Sequence, residues 1–383
     1  MPLHFDPPEF EARLAAARRA LTAQGLDALL MFRQESMYYL SGYDTFGYVY
    51  FQCLVLTGDG HQVLLTRAPD RRQAELTSRL SDIRVWRDAP DADPAMELRA
   101  ILQELGLRSG RLGVEYEAYG LTARNGKRLE AALTGFATLV DASFLVTRLR
   151  LVKSPAEIAY VRKAAALADD ALDAALDLAH AGGEEAEILA RMQAAIVSGG
   201  GDDPANEFII GSGPQALLCR YHSGRRQLDP QDQLTLEWAG VYRHYHAAMM
   251  RTIPIGSAPD RQVEMHKVAR DALLAVEAAL QPGRPVGEAF DAHARVIDAA
   301  GMQAARMNAC GYSLGAVFAP NWMDWPMLYH GNPVEVTPGM VFFCHMIVFD
   351  DAAGLAMSLG RTSLIGPTGA EPLTRHGLDL AVG

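Results

Sequence analysis

The chain has 383 residues, 49% apolar and 21% charged, with 35 basic and 46 acidic side chains and a formal charge of −11. This length and balance suit two globular domains, each with its own core, and the acidic surplus excludes the basic footprint of a nucleic-acid or anionic-membrane binder. The opening "MPLHFDPPEFEARLAAARRALTAQGL" carries acids, prolines and helical amphipathicity where a secretion signal has a continuous apolar block. No later window offers the about eighteen uncharged apolar residues of a membrane span, so a cytoplasmic protein is expected.

Residues 9–24 have apolar side chains at helical spacing, with Gly25 as the stop. "LDALLMF" reads as a buried strand, and "QCLVLTGDGHQVLLT" as two strands joined by a Gly-Asp-Gly turn. "GRLGVEYEAYG" and "FATLVDAS" continue a strand rhythm with helices between, which predicts a small α/β domain over residues 1–150.

The pattern changes after "VTRLRLVK". Ser154, Pro155 and Glu157 form a helix-start signature, and Ile158, Val161, Ala165, Ala168 and Leu172 supply an apolar stripe. Helices follow at about 184–198 and 261–281, with strand-like runs at 206–212, 233–242, 340–349 and 356–365. A helix-backed, mainly antiparallel sheet over residues 151–383 fits this order, making the chain α/β in its first domain and α+β in its second. The Ala239-Gly240 step reads as a turn that interrupts the strand count beyond Glu237; His244 and His246 alternate with Tyr245 and face away from it. The four cysteines, Cys53, Cys219, Cys310 and Cys344, have no metal-type spacing and read as buried, reduced thiols.

Taken in order, "MYYLSGY", "LRLVKSPAEIAYVRKAA", "IIGSGPQALLCRYH", "YHAAMMRT", "CGYSLG", "VTPGMVFF" and "TSLIGPTGAEPLT" resemble the creatinase, aminopeptidase P and methionine aminopeptidase family. The resemblance implies a creatinase-like first domain and a second domain of the pita-bread fold. Peptidases of that family hold two divalent ions with two Asp, one His and two Glu, hard ligands that activate a bridging hydroxide. Carried over by position, the two Asp fall at Glu237 and Ala248, the His at Tyr312, and the two Glu at His345 and Gly360. One carboxylate survives and one histidine arrives, so a site without metal or other cofactor is expected.

"FAPNWMDWPMLYHGNP" supplies Trp322 and Trp325 in a Pro- and Gly-bounded loop, either an apolar contact surface or an aromatic wall for a small cation. With "CGYSLG", "GMVFFCHM" and "AMSLGRTSLIG", it resembles the metal-free members of the family that hydrolyse ectoine, a cyclic amidine bearing a carboxylate. That resemblance implies ring opening to an N-acetylated diaminobutyrate. Glu237 is the expected carboxylate that orients the amidinium and attacks it or positions a water, His222 a proton shuttle, and His345 a group with a direct role. Tyr312, Trp238, Trp322, Trp325, Tyr242, His244 and His246 are the expected substrate contacts. Arg251 reads as structural, and Arg220, Arg225, Arg226 and Arg361 are all candidates for the substrate carboxylate. Phe46 and Tyr48 align near a creatinase loop that reaches a partner's site, implying a homodimer; association with a deacetylase acting next is also left open. The alternatives are an amidinohydrolase for another guanidinium or amidine, and a non-catalytic binding scaffold.

Overall fold

A computed structural model describes residues 3–220 and 224–383. The chain divides into two compact units, Met1–Arg150 and Leu151–Gly383.

The first unit is a six-stranded mixed sheet with β1 (Ala28–Met31), β2 (Cys53–Thr57), β3 (Gln62–Arg67), β4 (Asp82–Trp86), β5 (Arg111–Val114) and β6 (Thr138–Asp141) in the order β4-β3-β2-β1-β5-β6. β2 and β3 are the hairpin that Gly-Asp-Gly announced, and Gly60 takes φ +99° in its turn. The predicted first helix spans Pro7–Ala23, with Gly25 at φ +62° just beyond it. Glycine relieves the Cβ clash of that left-handed conformation, so the helix stops there.

The second unit is an antiparallel, curved sheet backed by helices, the pita-bread arrangement. Its strands are β7 (Ile209–Ser212), β8 (Asp232–Tyr242), β9 (Tyr245–Ile255), β10 (Gly311–Ser313), β11 (Asp324–Met327), β12 (Val341–Asp350), β13 (Leu355–Gly366) and β14 (Gly369–Pro372). They run β11-β10-β12-β13-β9-β8-β7, with β14 on β13. The Pro155–Leu176 helix begins with the expected capping box: Glu157 N donates to Ser154 Oγ, and Ser154 N donates to Glu157 Oε2. Its buried face includes Val161, Ala165, Ala168 and Leu172, while Ile158 is only half-buried.

The Ala239-Gly240 step is not a turn. β8 runs unbroken to Tyr242 and pairs with β9 through Tyr242↔Tyr245, so the two-residue turn is Arg243-His244, both at positive φ (50° and 65°). Gly240 has a different purpose, because a Cβ there would collide with the Ala164 carbonyl of the Pro155–Leu176 helix. The glycine lets helix and strand touch backbone to backbone.

Among the described residues no helix is long and apolar enough to cross a membrane. All four cysteines are free; Cys53, Cys310 and Cys344 are buried and Cys219 is half-buried.

Candidate active site

A single cross-strand row organises the site. Ile209 pairs with Glu237, Glu237 with Met250, Met250 with Gly360, and Gly360 with His345. Residues directly opposite one another share a face, so Glu237 and His345 project from the same side of the sheet. On a flat sheet three strand spacings, roughly 14 Å, would separate them. Curvature brings both onto one cavity of about 270 Å³.

Around Glu237 and His345 the cavity is lined by Tyr312 and Trp322, by Arg220, Cys219, Asn206 and Asn321, and by an apolar set that includes Ile209, Met307, Met327 and Ile347. Tyr312 on β10 pairs with Phe343, two residues from His345 along β12, which puts its ring over the same face. The Tyr312 hydroxyl donates to Glu237 Oε1 at 3.2 Å and accepts from Trp322 Nε1 at 2.8 Å. Trp322 is pinned at its backbone, where its N–H donates to Asn206 Oδ1 at 3.0 Å.

The electrostatics follow from burial. Loss of solvent pushes the Glu237 carboxyl up to about 7, although the Tyr312 hydrogen bond and the Arg220 charge pull it down. Burial and the Glu237 charge hold the Tyr312 phenol well above its ordinary range, so it remains a neutral donor. Burial lowers His345 to about 4, with smaller contributions from His293 and Arg220, and its Nδ1 is buried without a hydrogen-bond partner. His345 is therefore a neutral imidazole facing a cavity at physiological pH.

Several expected contacts lie elsewhere. Trp238 and Tyr242 have the opposite strand parity to Glu237 and face the Pro155–Leu176 helix: Trp238 Nε1 donates to Ala168 O at 2.9 Å, and Tyr242 packs on Tyr160. His244 occupies the hairpin turn, stacked on Phe318 at 4.1 Å, instead of alternating along a strand. Trp325 packs against the apolar core and does not line the cavity. His246 does share the Glu237 face, yet both ring nitrogens are engaged: Nε2 accepts from Ala205 N, and Nδ1 donates to His244 O. Burial lowers it to about 3 and it stands 6.4 Å from the Trp322 ring, a support for the wall. His222 lies outside the described residues. Phe46 and Tyr48 belong to the first unit, where Phe46 is 74% exposed and Tyr48 is buried.

The arginines differ in their surroundings. Arg361 forms a buried ion pair with Glu277, Arg226 pairs with Asp229 and Asp232, and Arg251 donates to the Met250 and Gly360 carbonyls. Arg220 lines the cavity. Cys219 and Asn206 do so as well; the reading of Cys219 as a core thiol missed it, and no local pattern flags Asn206.

The matches with known proteins agree with this architecture. Residues 159–366 match the model of metallopeptidase family M24, and residues 13–152 match the creatinase/prolidase N-terminal domain. The chain belongs to metallopeptidase family M24, a family of hydrolases. It is 27% identical to an uncharacterised hydrolase/peptidase of Sinorhizobium fredii over 99% of each chain. It is also 27% identical to the ectoine hydrolase of Halomonas elongata over 97% of this chain and 96% of that one. Identity to a Xaa-Pro dipeptidase of Pyrococcus horikoshii is 25%, over 93% and 94%. In fold, the dipeptidase PepE of Mycobacterium ulcerans superimposes with a TM-score of 0.85 at 24% identity, over 99% of each chain.

The family name implies a metal centre, and the described residues do not fit one. The row offers Glu237, Met250, Gly360 and His345, with Ala248 two residues from Met250 on the same face. Among the described residues no group of three or more His, Cys, Asp or Glu side chains could hold a metal ion. Gly360 cannot regain a side chain without disturbance, because a Cβ there would lie 2.8 Å from the Phe343 ring. The Phe343 ring fills the space that a side chain at Gly360 would need.

Proposed function

We propose that this chain is a metal-independent hydrolase that opens a cyclic amidine bearing a carboxylate, with ectoine or 5-hydroxyectoine as the leading substrate. The observation that carries the reading is the buried Glu237 carboxyl, raised to about 7 beside a neutral phenol, in a cavity that also presents Arg220. Similarity to the Halomonas elongata ectoine hydrolase along nearly the full length supports the choice of substrate.

Ectoine's amidinium is a planar cation, and its carboxylate lies on the same small ring. Glu237 faces the amidinium, whose positive charge favours the ionised carboxylate and so sharpens its action on binding. Trp322 and Tyr312 offer aromatic faces to the delocalised cation, worth about 0.5–2 kcal/mol. Arg220 receives the substrate carboxylate. Reaction adds water across the amidine carbon: a C–O bond forms, one ring C–N bond breaks, and the departing nitrogen leaves as an amine after gaining a proton. Glu237 acts at that carbon as nucleophile or as base for a water. Transfer of ¹⁸O from labelled solvent into the protein during a single turnover separates the two. Tyr312, as a neutral donor, stabilises negative charge on the attacking oxygen. His345, as a neutral imidazole, accepts a hydrogen bond from the ring or shuttles the proton to the leaving nitrogen.

The product carries an N-acetyl group, so a deacetylase is the class of enzyme that acts next. The proposal includes a homodimer in which Phe46, exposed in the first unit, reaches a neighbouring subunit. A dipeptidase reading rests on the similarity to the Pyrococcus horikoshii Xaa-Pro dipeptidase, but the described residues do not supply the ligand set that two-metal peptide hydrolysis requires.

The test is ectoine consumption by purified protein in EDTA, with the product identified by mass and NMR and metal content measured on the same sample. Conversion with gain of one water and no bound transition metal is the expected result. Loss of activity in EDTA, or cleavage of Xaa-Pro dipeptides after metal loading, overturns the reading.

A further inference from the structure

On the helix side of the same sheet a second cavity opens where two strands part. β9 and β13 pair only at Met250↔Gly360 and Arg251↔Leu359. One step further the backbones separate, and Thr252 Oγ1 bridges them by accepting from Ser358 N at 2.9 Å while bonding Ser358 Oγ at 2.9 Å. The space beyond is a cavity of about 220 Å³, roofed by the tail segment Gly377–Ala381. That volume is smaller than the roughly 300–1,000 Å³ typical of drug-sized sites, and suits a small metabolite.

Its polar lining is unusual for a packing defect. Arg251 is 7% exposed and meets only carbonyl oxygens, those of Met250, Gly360 and, at 3.5 Å, Gly377. Among the described residues no carboxylate hydrogen-bonds it; burial lowers it to about 10, the neighbouring Arg361 charge adds to the shift and the Asp169 charge opposes it. A buried guanidinium whose hydrogen bonds all go to carbonyls has room for a directly bonded anion. His266, also 7% exposed, lines the same cavity, and its Nε2 is buried without a hydrogen-bond partner. The Leu378 carbonyl faces its ring as an acceptor, which places the ring proton on Nδ1 and leaves Nε2 as an acceptor. Exposed Asp379 adds a carboxylate to the lining. His376, the remaining titratable side chain there, has its Nε2 3.1 Å from Asp173 Oδ1, an ion-pair contact without hydrogen-bond geometry. The rest of the wall is apolar, from Leu172, Leu176, Ile253, Leu359 and Leu380.

We infer that this cavity binds a small apolar α-amino acid: its carboxylate on Arg251, its ammonium on His266 Nε2 and Asp379, and its side chain among the leucines. The pairing of one buried cation with two acceptors defines a zwitterion, and neither a simple anion nor a simple amine meets both needs. The site is separate from the Glu237 cavity, although Arg251 donates to the carbonyls of Met250 and Gly360 in the row that carries Glu237 and His345.

The experiment is calorimetric titration of the full chain with L-leucine, 3-methylbutylamine and 4-methylpentanoate, which share one apolar body. Leucine is expected to bind saturably, and the amine and the acid at least about tenfold more weakly. Because Arg251 variants perturb two strands, the site is probed from the tail. Leu380→Trp fills the cavity and is expected to abolish leucine binding, while Asp379→Asn weakens it about tenfold. The proposal is overturned if leucine does not bind, if the acid binds as tightly as leucine, if Leu380→Trp leaves leucine affinity unchanged, or if leucine is displaced by a ligand of the Glu237 cavity.

Discussion

Tyr312 and Glu237 come from strands β10 and β8, which are not neighbours in the sheet, yet the phenol donates to the carboxylate at 3.2 Å. The same hydroxyl accepts from Trp322 at 2.8 Å, so one oxygen couples the aromatic wall to the group proposed to act on substrate. Tyr312→Phe removes both bonds. With the donor gone the Glu237 carboxyl rises further, and the acid limb of kcat/KM shifts to higher pH. Activity at pH 7 is expected to fall by about 10- to 100-fold. The unpaired Trp322 N–H lowers stability by about 1–3 kcal/mol. A pH–rate profile with thermal melts checks both; an unshifted acid limb would sink the coupling.

Glu237 makes stability depend on pH with a definite sign. Its carboxyl sits at about 7 in the fold, above the ordinary value of 4.5. The fold therefore favours the protonated form: this contribution is fully present below pH 4.5 and is lost as pH rises through 7. Glu237→Gln, neutral at every pH, should be more stable than the parent at pH 8, by up to about 3 kcal/mol, and match it near pH 4. Denaturant melts at both pH values measure the difference. Equal differences at both would mean that the carboxyl is not raised.

Arg220 contributes a charge to the cavity, and substrate capture is the role proposed for it. Arg220→Ala is expected to raise KM for a carboxylate-bearing amidine by about 10- to 100-fold and to change kcat by much less. The same variant acting on an analogue without the carboxylate should show an unchanged KM. A fall confined to kcat would remove Arg220 from that role.

Gly240 is required by packing alone. Gly240→Ala pushes a methyl group into the Ala164 carbonyl and the Ala168 amide of the Pro155–Leu176 helix. Separation of helix from strand also strains the Trp238 bond to Ala168 O, and a loss of about 2–4 kcal/mol is expected in equilibrium unfolding. A neutral outcome would show that the contact is loose.

Local physics made much of the architecture legible in advance. The Ser154–Glu157 capping box, the Gly-Asp-Gly hairpin and the alternating strand runs depend on neighbours a few residues apart, so sequence spacing reports them directly. The ordered motifs identified the pita-bread fold, and the position-by-position comparison put Glu237, Tyr312 and His345 on one site face, where the structure has them.

Errors came where a local cue competed with a distant partner. Ala-Gly resembled a turn because glycine is a common turn residue, but Gly240 answers to a helix some seventy residues earlier in the chain. That misplaced break hid the parity that sends Trp238 and Tyr242 to the helix side and sets His246 on the site side. Likewise nothing near Cys219 or Asn206 marks them as cavity residues, and sequence alone did not single out Arg220 from the other candidate arginines; the curvature of a sheet built from distant segments gathers all three. By itself the sequence determined which elements form and which residue types stand at the expected site positions, because those are properties of residue type and spacing. Only the tertiary structure decided which side chains meet, because opposite faces of a strand differ by one residue, and the choice between them is made by what packs against each.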